Sequence, residues 1–287
     1  EFRRVLFRSG EKGYCVMDGK LRAARAALHM WEEPCISGTR GSGAVFFSGC
    51  SLRCIFCQNY EIAQGNCARE ISGDRLSEIF LELQEKGAAN INLVTATHFA
   101  PAVIRALKKA KAQVMYLPVI YNSSGYERVE TVQMLEEVVD VWLPDFKYMD
   151  TELAFACSKA KDYPEVAVAA IREMMLAGGR CEYDDNGYIQ KGVIVRHLIL
   201  PGHTKNSIAV LDELYETYGK NLTISLMNQY TPLPQVRDIP DLNRRVTKRE
   251  YEKVLDHALD LGITQGFFQE GGTAKESFIP LFDYEGL

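Results

Sequence analysis

An α/β chain built on a parallel sheet is predicted by three features of the sequence. Apolar runs of strand length, such as Ala44–Ser48, Ile91–Ala96 and Val139–Leu143, alternate with stretches carrying the i, i+3, i+4, i+7 spacing of amphipathic helices. The alternation proceeds without any internal repeat of about 20–50 residues, which argues against a solenoid. The 287 residues, 47% hydrophobic and 25% charged, suffice for one large α/β domain or two small ones. In a parallel sheet, open or curled into a barrel, function gathers at the carboxyl ends of the strands.

Taken in order, residues 1–9 (Glu1 to Ser9) join no periodic pattern and read as a non-native scar ahead of a truncated start. Residues 10–43, broken by Gly13, Gly19, Pro34, Gly38, Gly41 and Gly43, read as an irregular N-terminal extension, and residues 44–287 as the core domain. The first strand is expected at Ala44–Ser48. Leu76, Ile79, Phe80 and Leu83 make a helical stripe opened by Ser72 or Asp74 and closed at Gly87. A strand at Ile91–Ala96 precedes a helix begun by Pro101 in its first turn. Then come a strand at Val114–Tyr121, a helix at Glu127–Val138, a strand at Val139–Leu143, and a helical region over Thr151–Ala177 interrupted near Pro164. Asp184-Asp185-Asn186-Gly187 signals a hairpin turn. A strand over Val193–Leu200, a helix over Asn206–Tyr218 and a strand over Leu222–Met227 follow. The proline-containing stretch Tyr230–Val246 is long for a loop and suits a lid or substrate contact. Thr247 with Glu250 forms a capping box for a helix to Leu261, and Thr264–Gln269 is a last strand.

The net charge of −5 argues against a grip on nucleic acid dominated by phosphate contacts. Basic runs at Lys108-Lys109-Ala110-Lys111 and near Arg244 to Arg249 read as solvated helix faces. No apolar run approaches the ~20 residues of a membrane span, and no signal-peptide core is evident, so the cytoplasm is the default location. Eight cysteines in this length are too sparse for a disulfide scaffold.

Three of those cysteines cluster. Cys50, Cys54 and Cys57 lie at spacings of four and three residues on the stretch that leaves the first strand. Three soft ligands on one tight loop can hold three corners of an iron–sulfur cluster. A zinc site is the alternative, but it needs a second cysteine pair, and Cys67 stands without a companion at the required spacing.

The Cys-x-x-x-Cys-x-Phe-Cys loop, with Phe56 before its last cysteine, closely resembles the radical S-adenosylmethionine (SAM) superfamily. Within it the chain looks most like the pyruvate formate-lyase activating enzyme group. That closer resemblance rests on Leu143-Pro144-Asp145-Phe146-Lys147, on Val195 to Gly202, and on Tyr121-Asn122-Ser123-Ser124-Gly125. The resemblance implies a partial (β/α)6 TIM-like barrel and a [4Fe–4S] cluster on Cys50, Cys54 and Cys57. It also implies SAM at the open iron, cleaved after one-electron reduction to a hydrogen-abstracting 5′-deoxyadenosyl radical. Lys147 and Arg196 are then the cations that meet the SAM carboxylate or ribose, Asn122 and Asp145 polar groups that orient it, and His203 a SAM-side histidine. The group usually carries a Gly-Gly-Glu-like segment after strand two. Here that place reads Val94-Thr95-Ala96-Thr97-His98, so Thr95 or Thr97 is the candidate amine contact and no local carboxylate is present.

His98 suits either a SAM contact or a helix cap, whereas His29, His197 and His257 read as structural. Cys15 and Cys35 read as core packing, or as remnants of a second metal site. Gln269-Glu270-Gly271-Gly272-Thr273 either lines the substrate opening or is a turn. The implied partners are SAM, an electron donor such as flavodoxin or ferredoxin, and a glycyl radical enzyme as substrate. The alternatives are a small-molecule or other protein target, or a non-catalytic iron–sulfur carrier.

Overall fold

The computed structural model describes residues 12–269 and 280–287. The segment read as a scar lies outside them, as do Glu270 to Thr273. No described helix is long and apolar enough to cross a membrane.

The N-terminal extension is more ordered than expected. It contains a strand, β1 (Arg22–His29), that pairs antiparallel with β2 (Ser42–Phe47) in the register Ala27↔Ala44. The sequence Arg-Ala-Ala-Arg-Ala-Ala-Leu-His favours helix by intrinsic propensity. Ala23, Ala24, Ala26 and Ala27 are all buried, however, and small side chains let this strand lie close against its neighbours. Tertiary packing has overridden local preference.

The chain continues through α1 (Tyr60–Ala63), β3 (Arg69–Glu70), α2 (Gly73–Glu85), β4 (Ile91–Val94), α3 (Ala100–Ala112) and β5 (Val119–Ser123). Next come α4 (Val129–Leu135), β6 (Val141–Pro144), α5 (Thr151–Ser158), α6 (Tyr163–Gly178), β7 (Glu182–Tyr183), β8 (Ile189–Val193) and β9 (Val195–Leu198). The described elements end with α7 (Thr204–Tyr218), β10 (Ile224–Met227), α8 (Lys248–Leu261) and β11 (Gly266–Phe268). The expected helix signals act as read. Ser72 Oγ accepts from Arg75 N at 3.0 Å, and the Thr247–Glu250 capping box is complete.

One strand is displaced from its expected place. The run from Val114 to Leu117 is an approach loop, begun by Val114 in the left-handed region (φ 69°), and pairing starts only at the Pro118 carbonyl, which accepts from Ile91 N. Hydrophobicity there reports the burial of Met115 and Leu117 under the helices rather than a strand.

β2, β4, β5 and β6 are mutually parallel, and β8 joins them through Val141↔Gly192. β9, β10 and β11 form a second parallel sheet. Only Ile194 separates β8 from β9, so one chain segment belongs to both sheets. A bridge between Asp145 and Arg196, with Phe146 N donating to Arg196 O at 2.7 Å, stitches the end of β6 to β9. The result is the partial (β/α) barrel expected, with six parallel strand positions when β8 and β9 count as one, and β11 beyond them.

Side chains alternate across each strand. His197 points outward, where its ring meets Ser207 Oγ of α7 at 2.9 Å and the Phe146 carbonyl at 2.6 Å. The inward positions Ile120, Val141, Leu143 and Ile194 form a small inner core into which the extension inserts Cys35 and Ile36. Asn90 fastens this insert by donating to Ile36 O at 2.7 Å. The segment between β1 and β2 therefore plugs the barrel from its amino-terminal side.

Candidate active site

Above the plug, the inward positions nearest the carboxyl ends of the strands line a cleft of about 220 Å³. Phe46, Val94, Asn122, Arg196, Leu198 and Met227 contribute, one or two from each strand, and Asp145 and Lys147 follow the end of β6. The opposite wall carries Cys50, Cys54 and Cys57. Strand parity and strand ends thus bring the predicted thiols and polar groups together, as the βα alternation requires.

Backbone geometry shapes the cysteine loop. Gly49 turns the chain at φ +87°, and a Cβ there would sit 2.5 Å from the Cys15 carbonyl oxygen. His98 braces the preceding residue, with Nε2 2.7 Å from Ser48 O. A carbonyl only accepts, so Nε2 carries the proton, and burial holds the ring neutral with its pKa lowered to about 4. Phe56 is buried against Tyr148 and Tyr230, with ring centroids at 6.4 and 6.1 Å, which anchors the loop between its second and third thiols. Cys54 Sγ accepts from Ser158 Oγ at 3.0 Å and Cys50 Sγ from Leu52 N at 3.4 Å.

Burial pushes the Cys50 and Cys57 thiols up, Cys57 to about 12, and the neighbouring Cys54 adds to both shifts while Lys147 opposes them. Without metal they stay protonated at neutral pH, so ligation by soft metal must expel protons. Among the described residues no three Cys, His, Asp or Glu side chains converge closely enough to hold a single metal ion. Thiols spread over one cleft wall fit a cluster, which offers each sulfur its own iron, better than they fit zinc. No other described cysteine lines the cleft; Cys157 is buried behind Cys54.

Facing the thiols is a buried charge network. Asp145 accepts from Arg196 Nε at 2.9 Å with one oxygen and from Lys147 Nζ with the other. Burial alone would raise its pKa, but Arg196 and Lys147 outweigh it and hold the carboxyl below the ordinary range. Burial likewise disfavours the Lys147 charge, and Asp145 more than restores it.

A carboxylate that the strand-two segment lacks arrives from elsewhere. Glu32, on the plug, lines the cleft and accepts from Arg196 Nη1 at 3.0 Å. Its other oxygen accepts from Asn92 Nδ2 at 3.1 Å and Asn122 Nδ2 at 3.2 Å. Arg196 Nη2 donates to Asn122 Oδ1 at 2.7 Å, so all three edges of the guanidinium are engaged by the protein. Arg196, expected to meet the SAM carboxylate or ribose, lines the cleft and through these bonds also ties three strands and the plug together. Lys147 has only one carboxylate partner among its three donors. The one sequence signal for Glu32 was an acidic pair, Glu32-Glu33, in a segment otherwise rich in turns. Burial pushes the Glu33 carboxyl up; Arg196 opposes that shift and Glu32 adds to it.

Two predicted contacts do not reach the cleft. Thr97 is not among its lining residues; its hydroxyl donates to Glu127 Oε1 at 2.9 Å. Thr95 lines the cleft instead, in a left-handed conformation (φ 61°) of the kind that costs about 1 kcal/mol for a non-glycine residue and that clusters at functional sites. His203 is also absent from the lining, because Pro201-Gly202 turns the chain away before α7 begins. His29, read as structural, does line the cleft and packs edge-on against Phe46 at 5.7 Å. Cys15 and Cys35 belong to different core clusters and form no common site. The loop after β10 is pinned by Tyr230, whose hydroxyl donates to Leu242 O at 2.7 Å.

Behind Thr95 and Thr97, Glu127 is buried and its pKa is raised to about 7 by burial, against donors from Thr97, Tyr121 and Ser123. The folded state therefore holds a proton that the unfolded chain releases near the ordinary carboxyl value. Stability falls as pH rises from about 4.5 to 7, by on the order of 3 kcal/mol, and levels off above that. Glu127→Gln is expected to flatten this slope in urea titrations repeated across that range; an unchanged slope would place the titration elsewhere.

A larger groove of about 450 Å³ lies outside the barrel mouth, among Leu21, Ile71 and Ala102. Of its charged lining, Lys20 pairs with Glu70 and Lys109 with Asp74, and it holds no thiol.

Residues 44–215 match the family model described as Radical SAM superfamily. An uncharacterized protein of Methanocaldococcus jannaschii is 30% identical over 267 residues, which span 90% of this chain and 72% of that one. Among solved structures, HydG, a maturase of the [FeFe]-hydrogenase, aligns with TM-score 0.53 and 16% identity over 80% of this chain and 52% of that one. Methylornithine synthase aligns with TM-score 0.51 and 14% identity over 73% of this chain and 59% of that one. At such identities these two likenesses concern the fold.

Proposed function

The chain belongs to the radical SAM superfamily, and from that membership we propose that Cys50, Cys54 and Cys57 hold a [4Fe–4S] cluster in the cleft, with SAM beside it. Members of the superfamily are enzymes that bind this cluster and SAM. When bound, the two supply one-electron cleavage of the sulfonium and hydrogen-atom abstraction.

The chain's own residues bind, orient and exclude water. Lys147 is the cation with donors to spare beside the thiols, suited to a carboxylate ligand. Asp145 holds Lys147 in place, and Asn122, fixed by Arg196 and Glu32, presents a set of polar atoms of fixed orientation. Thr95 adds a hydroxyl at the rim. Phe46, Val94, Leu198 and Met227 keep the cleft wall apolar, which strengthens each of these polar contacts. The single observation carrying the proposal is the placement of three thiols from one loop opposite Lys147 in one cleft.

The leading substrate is a backbone glycine of a partner enzyme, converted to a glycyl radical, with a flavodoxin or ferredoxin as electron donor. The strand-end stretches ending at Gly125, Lys147 and Gly202 support this reading. A small-molecule target is the second reading, favoured by the absence of a carboxylate from Val94 to His98.

Anaerobic reconstitution followed by reduction with SAM is expected to yield 5′-deoxyadenosine and methionine in equal amounts. Iron uptake without either product would leave only the iron–sulfur carrier reading. A glycyl-radical EPR doublet on a candidate partner would select the first substrate class, and turnover of SAM without any doublet the second.

A further inference from the structure

We infer that Ser158 is a positioning residue that sets the reduction potential of the cluster through a hydrogen bond to Cys54, an inference that rests on the function proposed above. Ser158 is the last residue of α5, 2% exposed, with Oγ 3.0 Å from Cys54 Sγ. Its Oγ also lies 2.8 Å from the hydroxyl of the fully buried Tyr148. The helix end is docked on the cysteine loop by Ile55 N, which donates to Cys157 O at 3.0 Å, and Lys159 in the left-handed region stops the helix at once. Ser158 is thus held where its hydroxyl serves the loop rather than the preceding turn of its own helix.

The direction of the chain follows from donor counting. A ligating thiolate only accepts, so the single Ser158 proton must point at Cys54 Sγ. Tyr148 must then donate to Ser158 Oγ. The two hydroxyls form a polarised relay ending on one sulfur. Cys50 receives a backbone donor, Leu52 N, so Cys54 carries the described bond that a side-chain change can remove. Hydrogen bonds to cluster sulfurs stabilise the reduced, more negative state and raise the potential.

The test is a potentiometric titration of the reconstituted full chain, followed by EPR without SAM. Ser158→Ala is expected to shift the midpoint to more negative values at unchanged iron content. Tyr148→Phe should shift it the same way by less, because the serine donor remains but loses its own donor. Ser158→Thr, which keeps a hydroxyl, should restore most of the wild-type value. If Ser158→Ala fails to take up iron, Tyr148→Phe with intact ring packing carries the test. A wild-type midpoint in both Ser158→Ala and Tyr148→Phe at full iron content would overturn this inference alone. A wild-type chain that takes up no cluster would overturn the proposed function, and the inference with it.

Discussion

Cys57→Ala is expected to abolish both cluster uptake and SAM cleavage. Reconstituted wild type should carry about four irons per chain, and the variant a small remnant, because a cluster bound by three thiolates loses a corner and no other described thiol lines the cleft. The nearest described spare thiol, Cys157, lies behind Cys54 and does not line the cleft, which makes Cys57 a cleaner choice than Cys54. Formation of 5′-deoxyadenosine should fall by at least about 10³-fold, since the lesion removes the electron's point of entry rather than one contact among several. Cys67→Ala is the control. Its thiol does not line the cleft, and its carbonyl, which accepts from Ser48 Oγ at 2.6 Å, survives the substitution. Full iron in Cys57→Ala, or lost iron in Cys67→Ala, would place the cluster somewhere other than this loop.

Much of this site was legible because two local signals coincide. Thiol spacing named the loop, apolar runs located the strands that share its rim, and likeness to the activating enzyme group named Asn122, Asp145, Lys147 and Arg196 on them. What the sequence hid is of a different kind. Glu32 meets Arg196 across 164 positions, through a segment whose glycines and proline read as disorder of pattern rather than as a plug. β1 was hidden by its alanines, whose helical preference lost to the burial of small side chains beside β2. Thr95 and Thr97 are two residues apart in a strand exit, and only the left-handed turn at Thr95 decides which one faces the cleft. His203 was carried over by likeness of motif, and it follows the turn at Gly202, outside the cleft lining. Long-range partners and turn geometry are the two things that residue spacing does not encode.

The second large effect concerns Arg196. Its side chain is 14% exposed and meets Asp145, Glu32 and Asn122 on three edges, so Arg196→Met should destabilise the chain by about 3–5 kcal/mol, the cost of leaving buried carboxylates uncompensated. Urea midpoints at unchanged slope would report it. Arg196→Lys should recover little, since an ammonium cannot reproduce a planar fork with three partners. Arg196→Met/Glu32→Gln should recover part of the loss by removing one stranded charge, which a double-mutant cycle would read as strong coupling. The pH dependence has a definite sign. In wild type Asp145 titrates below its ordinary value, so its contribution is present above that value and is lost as pH falls. In Arg196→Met, Asp145 loses one of the two cations that hold its pKa down, so less stability is lost as it protonates. The gap between the two proteins must therefore narrow toward acid. A loss under about 1 kcal/mol, or a gap constant with pH, would mean a solvated strand residue and not a saturated buried ion network. Of the two cations expected at the SAM carboxylate or ribose, Arg196 carries this network and Lys147 gives one donor to Asp145. Lys147→Met should accordingly weaken SAM binding while leaving iron content intact, whereas Arg196→Met should lower stability first.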